Sequence, residues 1–418
     1  MALIITDSEW ACDSNEVIKI RFVDHNNNDE EEGEKNEYQK SVREFSPEFS
    51  HQIFSNQQIF GYTNLKVKLR FASSSMTTYF GVTYDEKILD STTNLVDDVE
   101  KTLSELLPDD YITNYDIFLQ RVQTDAETFI PMGEKISEYR IDNDNSDKVY
   151  EIYKATFKTP RFKEFHKRLR IFVLFYIEAG SYIDEDEDHW EVMLVFEKKN
   201  IGGTYTYNLV GFCTMYLFYY LPRTKKNREN NENNYENNGN HHMNEDLNEN
   251  FSNCEKNKRH LLQITNNQDV SILNNISQFI ILPHYQQEGH GGKLYQTIYQ
   301  YCLLDPRIRQ LVDPSELFSE IRDKCDMRYL REMKALEGLV APVDKKRQMH
   351  RCIEIELLQN LNKRDPVAYK AYRLQVKQRV YNWNKELLDQ ISREERLQKL
   401  DETFKGIEEE YQQLILKL

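Results

Sequence analysis

The segment Ile276–Ile298, which reads ISQFIILPHYQQEGHGGKLYQTI, indicates the fold most directly. It begins with a mostly apolar run that predicts a buried strand ending at Pro283. A glycine-bearing turn follows, and from Lys293 onward the apolar residues have helical spacing. Glycines between a strand and a helix let backbone N–H groups approach an anion closely, and the helix N-terminus adds a partial positive charge. The segment therefore predicts a cradle for a pyrophosphate group.

Two common nucleotide-binding motifs do not fit this turn. The segment has no G-x-x-x-x-G-K-[ST] run, so it is not a P-loop. The dinucleotide fingerprint G-x-G-x-x-G fails because Leu294 stands where the third glycine is required. What remains is Q-x-x-G-x-G at Gln286–Gly291, directly after an apolar strand. The alternative interpretation is a strand–helix turn that binds no ligand.

The rest of the chain combines strand and helix patterns. Alternation of apolar and polar residues predicts strands at Glu16–Val23, Leu65–Phe71, Thr78–Tyr84 and Tyr150–Phe157. Trp190–Lys198 and Tyr205–Leu221 predict a hairpin that turns at Gly202-Gly203. Helical spacing predicts helices at Val96–Leu107, Arg161–Tyr176, Met349–Leu361, Val367–Leu388 and Ile391–Leu418.

The acidic charge is unevenly distributed. The 418 residues hold 54 basic and 70 acidic side chains, a net charge of −16. Residues 326–418 hold 19 basic and 16 acidic side chains, so residues 1–325 hold 35 and 54, a net charge of −19. This balance argues against a general DNA-binding protein, which would show a basic surface. It suits either association with a basic partner or simple solubility.

Other compositional features predict a soluble intracellular protein. The six cysteines show neither C-x-x-C spacing nor a histidine at zinc-finger distance, so free thiols and no structural zinc are expected. The N-terminus has no signal-peptide pattern. The longest apolar stretches, such as Ile171–Ile177, are far shorter than the roughly twenty residues of a membrane span.

Two polar segments lack the apolar residues needed to form a core. Residues 24–40 predict a flexible acidic arm, and the Asn-rich residues 223–270 predict a disordered insertion. The pair His241-His242 lies in the insertion, where nothing organises further ligands. No metal site is therefore predicted.

The Q-x-x-G-x-G turn resembles the acetyl-CoA loop of the GNAT acetyltransferase superfamily. Further segments resemble one family in particular, the catalytic subunits of type B histone acetyltransferases. They are Phe45–Phe54 with Ile59–Tyr62, Phe175–Asp184 with Trp190 and the strand LVFEK, Asp313–Asp323, and Tyr369–Val380. The resemblance spans about residues 45–418 without the insertion.

The resemblance implies a GNAT fold, an α/β architecture with a mixed, mostly antiparallel sheet flanked by helices. It implies an N-terminal strand and arm at 1–44, an α+β histone-binding domain at 45–145, a GNAT core at 146–325 and a helical domain at 326–418. The family acetylates lysines in the tail of newly made, free histones of the H-four class, and it works with a WD-repeat histone-binding chaperone. We therefore expect acetyl-CoA as cosubstrate, no metal, no direct DNA or membrane binding, and a cytoplasmic and nuclear location.

Site residues follow from the same resemblance. Three strand residues would offer backbone groups to the pantetheine arm, a loop would hold the pyrophosphate, and a serine would lie near the outer part of the cofactor. In that order they are Phe279, Ile280 and Ile281; Gln286, Gln287, Glu288, Gly289, His290, Gly291 and Gly292; and Ser315. The histone tail would contact Tyr216, Leu217, Phe218, Asn56, Gln57 and Trp190.

The general base is an open question because the chain departs from the family pattern. The family's Glu-Asp-Pro motif reads Val312-Asp313-Pro314 here, and valine cannot accept a proton. Two carboxylates remain at matching positions, Glu178 and Asp313. Glu178 is preferred because the apolar run before it would raise its pKa by burial. Either carboxylate could instead belong to a structural hydrogen-bond network.

A second departure concerns the loop that faces the tail. Ser55-Asn56-Gln57-Gln58 is neutral where the family has acidic residues, so attraction to the tail would shift to the run Asp184–Asp188. Two alternatives to a histone acetyltransferase therefore stay open. One is a GNAT enzyme with another amine substrate, and the other is an acetyl-CoA-binding histone escort with weakened catalysis.

Overall fold

The computed structural model describes residues 10–25, 44–88, 96–141, 148–201, 203–220, 271–312, 318–332 and 347–418. The chain forms two compact units, Met1–Pro314 and Ser315–Leu418. The predicted boundaries at residues 44, 145 and 325 stay predictions. The insertion and nearly all of the acidic arm lie outside the described residues.

The first part of the larger unit is built around a three-stranded sheet in the order β2-β5-β6. Strand β2 is parallel to β5. Strand β5 is antiparallel to β6, which agrees with the alternating patterns at Leu65–Phe71 and Thr78–Tyr84. The elements are β1 Ala11–Asp13, α1 Ser14–Val17, β2 Ile18–Val23, β3 Gln58–Phe60, β4 Tyr62–Thr63, β5 Lys66–Ala72, β6 Thr78–Thr83, β7 Glu86–Lys87, α2 Val99–Ser104 and α3 Tyr115–Thr128.

The second part of this unit is a six-stranded sheet in the order β13-β12-β11-β10-β9-β8. All neighbouring strands are antiparallel except β12 and β13, which are parallel. This confirms the predicted mixed, mostly antiparallel sheet. The elements are β8 Glu134–Tyr139, β9 Val149–Ala155, α4 Phe162–Leu169, α5 Ile171–Tyr176, β10 Trp190–Ile201, β11 Thr204–Tyr220, β12 Ser271–Ile281, α6 His290–Leu304 and β13 Ile308–Val312.

The predicted helix Arg161–Tyr176 is two helices that meet at Arg170. The second helix, α5, is almost wholly apolar and packs where the two sheets approach each other. The ring of Phe172 lies 4.8 Å from that of Phe71 on β5 and 5.8 Å from that of Phe22 on β2. This aromatic packing holds the segment after α5 next to both sheets.

The smaller unit is helical, as the charged amphipathic patterns predicted. Its helices are α7 Ser319–Glu332, α8 Arg347–Asn360, α9 Pro366–Trp383, α10 Lys385–Leu388 and α11 Arg393–Lys417. The predicted helix Val367–Leu388 is interrupted at Asn384. Its core contains Cys352, Ile355, Val376, Phe404 and Tyr411.

Candidate active site

The strand predicted to carry the cofactor, β12, has different neighbours along its length. On one side it pairs with β11 as far as Ile281, which lies opposite Gly211. On the other side β13 pairs with it only from Ile272 to Asn275. Phe279, Ile280 and Ile281 therefore lie beyond the last described β12–β13 pair, Asn275 with Val312. A ligand with amide groups fits beside the exposed edge of a strand.

The predicted pyrophosphate loop forms one turn that leads into α6. Gln286 to Gly289 are exposed, and α6 begins at His290. Gln287 and Gly289 have left-handed backbones, with φ of 65° and 98°. Gln286 Nε2 donates a hydrogen bond to the Ile281 carbonyl at 3.0 Å, which ties the turn to the end of β12. The turn thus places the start of a helix, an anion-binding element, next to the strand edge.

The imidazole of His290 points into the protein rather than into the turn. The side chain is buried, its Nδ1 lies 2.8 Å from the Tyr139 hydroxyl, and its ring packs 4.5 Å from that of Tyr150. Burial lowers its pKa. His290 therefore anchors the start of α6 on strands β8 and β9, and would contribute to an anion cradle through its backbone.

Glu178 lies in the turn after α5, and its side chain is exposed. The burial on which its selection as base depended is therefore absent, because the apolar run before it packs inward while the turn itself faces outward. The backbone of this turn is tightly constrained. Ala179 has a left-handed φ of 55°, and a Cβ on Gly180 would come within 2.5 Å of the Val173 carbonyl oxygen. Its role as base stays a prediction.

Gln278 joins the Glu178 turn to the cofactor strand, a role that sequence reasoning missed. It is buried at an irregularity in the β11–β12 ladder, where Thr214 pairs with Gln278 and Met215 pairs with Ile276. The Gln278 backbone N–H donates to Thr214 Oγ1 at 3.1 Å, and the Thr214 hydroxyl donates to Gln278 Oε1 at 3.2 Å. Gln278 Nε2 donates to the Ser181 carbonyl at 2.8 Å. The only hint in the sequence was a polar residue in an apolar run.

Replacing Gln278 by leucine is expected to lower kcat about tenfold, and glutamate at the same position should not restore it, because a carboxylate cannot donate to the Ser181 carbonyl. The leucine leaves the Ser181 carbonyl and the Thr214 hydroxyl without their partner, so the Glu178 turn is no longer tied to β12. The measurement is steady-state kinetics with a histone-tail peptide, together with hydrogen exchange in residues 177–184. If both variants keep the kcat and the hydrogen exchange of the wild type, Gln278 does not have this role.

The residues predicted to contact the tail fall into two groups. Trp190 and Tyr216 are opposite each other on β10 and β11, with ring centroids 4.7 Å apart, and Phe218 lies 4.4 Å from Tyr216. They form a continuous, partly exposed aromatic row. Leu217, which lies between Tyr216 and Phe218 on β11, donates its N–H to the His189 carbonyl at 3.1 Å. Asn56 and Gln57 lie in a separate turn, both with left-handed backbones.

Glu191 is a second side chain that the patterns did not single out. Desolvation raises its pKa, although Lys154 lies 3.9 Å away and the Tyr301 hydroxyl donates to its Oε1 at 3.0 Å. Its other oxygen is buried without a hydrogen-bond partner among the described residues. It contacts α6 through Tyr301, whereas its neighbour Trp190 contacts Tyr216.

Three side chains of the acidic run Asp184–Asp188 have partners in the surrounding structure. Asp186 pairs with Lys163 at 2.6 Å and Asp188 pairs with Lys158 at 2.9 Å. Glu185 contacts the buried His166 at 2.7 Å, and its pKa is lowered despite partial burial. These partners explain how the loop is held on α4, and they reduce the attraction that this run was expected to exert on a basic tail.

Two predicted site residues cannot be placed. Asp313 and Ser315 lie outside the described residues, which end at Val312 on β13 and resume at Phe318. Over the described ranges, no group of three or more His, Cys, Asp or Glu side chains is arranged to hold a metal ion. Among the helices that the structure describes, none is both long and apolar enough to cross a membrane.

The mixed, mostly antiparallel sheet and the glycine turn at the start of α6 are the arrangement expected of a GNAT acetyltransferase. The family model for the N-terminus of the histone acetyl transferase HAT1 matches residues 10–178. The histone acetyltransferase type B catalytic subunit of Cryptococcus neoformans is 33% identical, with 98% of each chain covered. The chain belongs to the family of histone acetyltransferase type B catalytic subunits.

A more distant relative is also similar over nearly the whole chain. The Homo sapiens protein of that name is 25% identical, with 98% of this chain and 94% of the relative covered. Among solved structures, an aminoglycoside acetyltransferase from a soil metagenomic sample is 13% identical and covers 50% of this chain and 99% of its own, with a TM-score of 0.23. That TM-score is too low to support a conclusion, so the fold assignment depends on the sheet topology.

Proposed function

We propose that this chain transfers the acetyl group of acetyl-CoA to lysine side chains in the N-terminal tail of newly synthesised, free histone of the H-four class. The observation that supports it best is the near-complete coverage by relatives named histone acetyltransferase type B catalytic subunit. The transfer would be a direct attack in a ternary complex, with the lysine held close to the thioester.

The strand edge and the turn would bind the acetyl-CoA. Backbone groups of Phe279, Ile280 and Ile281 would pair with the pantetheine amides, because these residues lie beyond the last described β12–β13 pair. The exposed turn from Gln286 to Gly289 and the first residues of α6 would hold the pyrophosphate. Ser315 would contact the outer part of the cofactor.

The lysine ammonium must lose a proton before it can attack. Glu178 or Asp313 would accept that proton, directly or through water. Glu178 is exposed, so a role as base would require the bound tail and cofactor to enclose it. The aromatic row of Trp190, Tyr216 and Phe218 would form one wall of the tail channel, with Leu217 beside it and Asn56 and Gln57 facing the tail from their separate turn.

Replacing Glu178 by glutamine is expected to lower kcat by about 100-fold if it is the base, with the larger loss at the lower end of the pH range. Asp313→Asn is the parallel test, and Glu164→Gln, an exposed carboxylate on α4, is the control. Histone-tail acetylation is measured from about pH 6 to about pH 9, roughly one unit below neutrality to two units above it. If both variants keep near-full kcat across that range, neither residue is the base.

The proposed partners are a histone tail and a WD-repeat histone-binding chaperone, in the cytoplasm and the nucleus, without direct binding to DNA or membranes. Incubation with labelled acetyl-CoA and a histone-tail peptide, followed by mapping of the modified lysines, tests the substrate. Transfer only to other amines would indicate a different GNAT enzyme. Binding of both partners without transfer would indicate a histone escort, an alternative that Val312 in the Glu-Asp-Pro motif favours.

A further inference from the structure

The turn proposed to hold a pyrophosphate contains a carboxylate. Glu288 directly precedes Gly289, the residue that caps the N-terminus of α6, and its side chain is 52% exposed. A carboxylate near a helix N-terminus is stabilised by the same partial positive charge that attracts an anionic ligand. The side chain and the ligand therefore compete for one electrostatic site, and they also repel each other.

A buried histidine holds this carboxylate near the start of the helix. Glu288 Oε2 lies 3.4 Å from His290 Nε2, and His290 Nδ1 lies 2.8 Å from the Tyr139 hydroxyl. Burial lowers the pKa of His290 and raises the pKa of Tyr139, so the imidazole is neutral and the hydroxyl protonated near neutral pH. The hydroxyl then donates to Nδ1, and Nε2–H donates to the carboxylate, which can only accept.

The groups around His290 do not remove the charge of Glu288. The ring of Tyr150 and the ring of Tyr285 pack against the imidazole. Glu197 and Lys148 act on it from a distance with opposite signs, and they are already close to each other, with Lys148 Nζ 3.7 Å from Glu197 Oε1. Because the imidazole is neutral, it offers the Glu288 carboxylate a hydrogen bond but no opposite charge.

We propose that Glu288 is an internal competitor for the α6 N-terminus, which stabilises the empty turn and weakens the binding of the diphosphate group of acetyl-CoA and CoA. The inference depends on the proposed function of this turn, and it adds a residue that lowers the affinity of the turn for the diphosphate group. Substrate and product carry the same diphosphate, so Glu288 raises the Kd of both. The acetyl transfer step itself is untouched, because Glu288 acts on binding before and after it.

The test is calorimetric binding of CoA to the full-length wild type and to Glu288→Gln. The glutamine variant should bind CoA about three- to tenfold more tightly, since one like charge is removed from a partly exposed site. Glu288→Asp keeps the charge and should bind like the wild type to within about twofold. Pantetheine, which lacks the diphosphate, should bind equally to all variants, and the advantage of Glu288→Gln should shrink at high salt.

Two further measurements separate this role from a structural one. In kinetics, Glu288→Gln should lower the KM for acetyl-CoA and the inhibition constant of CoA by a similar factor, as expected for a change in uniform binding. The ligand-free variant should melt at or below the wild-type Tm, since a favourable charge at the helix start is lost. Glu100→Gln, which removes a carboxylate from the first turn of α2, is the matched control and should leave CoA binding unchanged.

The outcomes are distinct. If the wild type binds CoA and Glu288→Gln binds it no more tightly, the inference is wrong while the proposed function stands. Tighter binding that extends to pantetheine would also overturn it, because the effect would not involve the diphosphate. If the wild type binds neither CoA nor acetyl-CoA, the proposed function fails and this inference fails with it.

Discussion

Replacing Gly211 by alanine is expected to weaken acetyl-CoA binding by about tenfold or more. Gly211 lies opposite Ile281 in the β11–β12 ladder, and β11 has an extra residue, Val210, immediately before it. A Cβ at this position would lie 2.4 Å from the Ile280 carbonyl oxygen and 2.9 Å from Ile281 Cδ1. The first of these is a backbone atom that cannot rotate away. Strand β12 must therefore move where Phe279, Ile280 and Ile281 are proposed to pair with pantetheine.

The added methyl group should also cost about 1–3 kcal/mol in the free energy of unfolding, as for other overpacked cores. Acetyl-CoA affinity is measured by calorimetry, at a temperature where circular dichroism shows that the variant is folded. Gly406→Ala is the control, because a Cβ there meets nothing within 4 Å and the residue lies in helix α11. A folded Gly211→Ala protein with wild-type affinity would show that this part of β12 does not bind the cofactor.

Periodicity predicted the strands and helices well where burial alternates regularly. The β5 sequence alternates apolar and polar residues, and the strand is observed to pair with β6 in antiparallel fashion, although burial alternates only over part of each strand. The break at Arg170 was not predictable, because α4 and α5 continue one apolar face and Arg170 itself has helical angles. The position of a change in direction depends on what each helix packs against, which the local pattern does not contain.

In the candidate site, too, the local sequence pattern did not predict the surroundings of single residues. The Q-x-x-G-x-G spacing located the turn before α6, and Gly289 adopts the left-handed backbone that glycine favours. Burial, in contrast, was predicted wrongly for Glu178 and was not foreseen for Glu191 or Gln278. A pattern reports the average environment of a strand or helix, whereas a turn or a ladder irregularity can rotate one side chain to the other side.

The negative charge of residues 1–325 is partly paired with basic side chains. Residues 1–325 carry a net charge of −19, which is compatible with a basic histone tail. The most concentrated acidic run is nevertheless paired with Lys158, Lys163 and His166. The attraction would then arise from charges spread over the unit rather than from this one loop, which leaves Asn56 and Gln57 as neutral contacts.

The second large effect concerns the helical unit, where Arg379 and Glu354 form a buried ion pair between α9 and α8. Arg379 Nε and Nη2 contact the two carboxylate oxygens at 2.6 and 2.7 Å, and the Tyr411 hydroxyl donates to Glu354 Oε2 at 3.0 Å. Glu354 is 1% exposed. Because water cannot replace the guanidinium, Arg379→Met would leave a buried carboxylate with Tyr411 as its main partner. The expected loss is about 3–5 kcal/mol in the free energy of unfolding of this unit.

The double variant Arg379→Met with Glu354→Leu should recover most of that loss, because it removes the isolated charge and fills the space with apolar atoms. The measurement is urea unfolding of the full-length protein combined with hydrogen exchange in the peptides of α8, α9 and α11. Arg373→Met, which breaks a more exposed pair with Asp401 at 2.8 Å, is the control and should cost less than about 1 kcal/mol. Similar losses in Arg379→Met and Arg373→Met would mean that burial of Glu354 does not decide the stability of the helical unit. A large loss that the double variant reverses would instead show that the unit depends on neutralising this carboxylate.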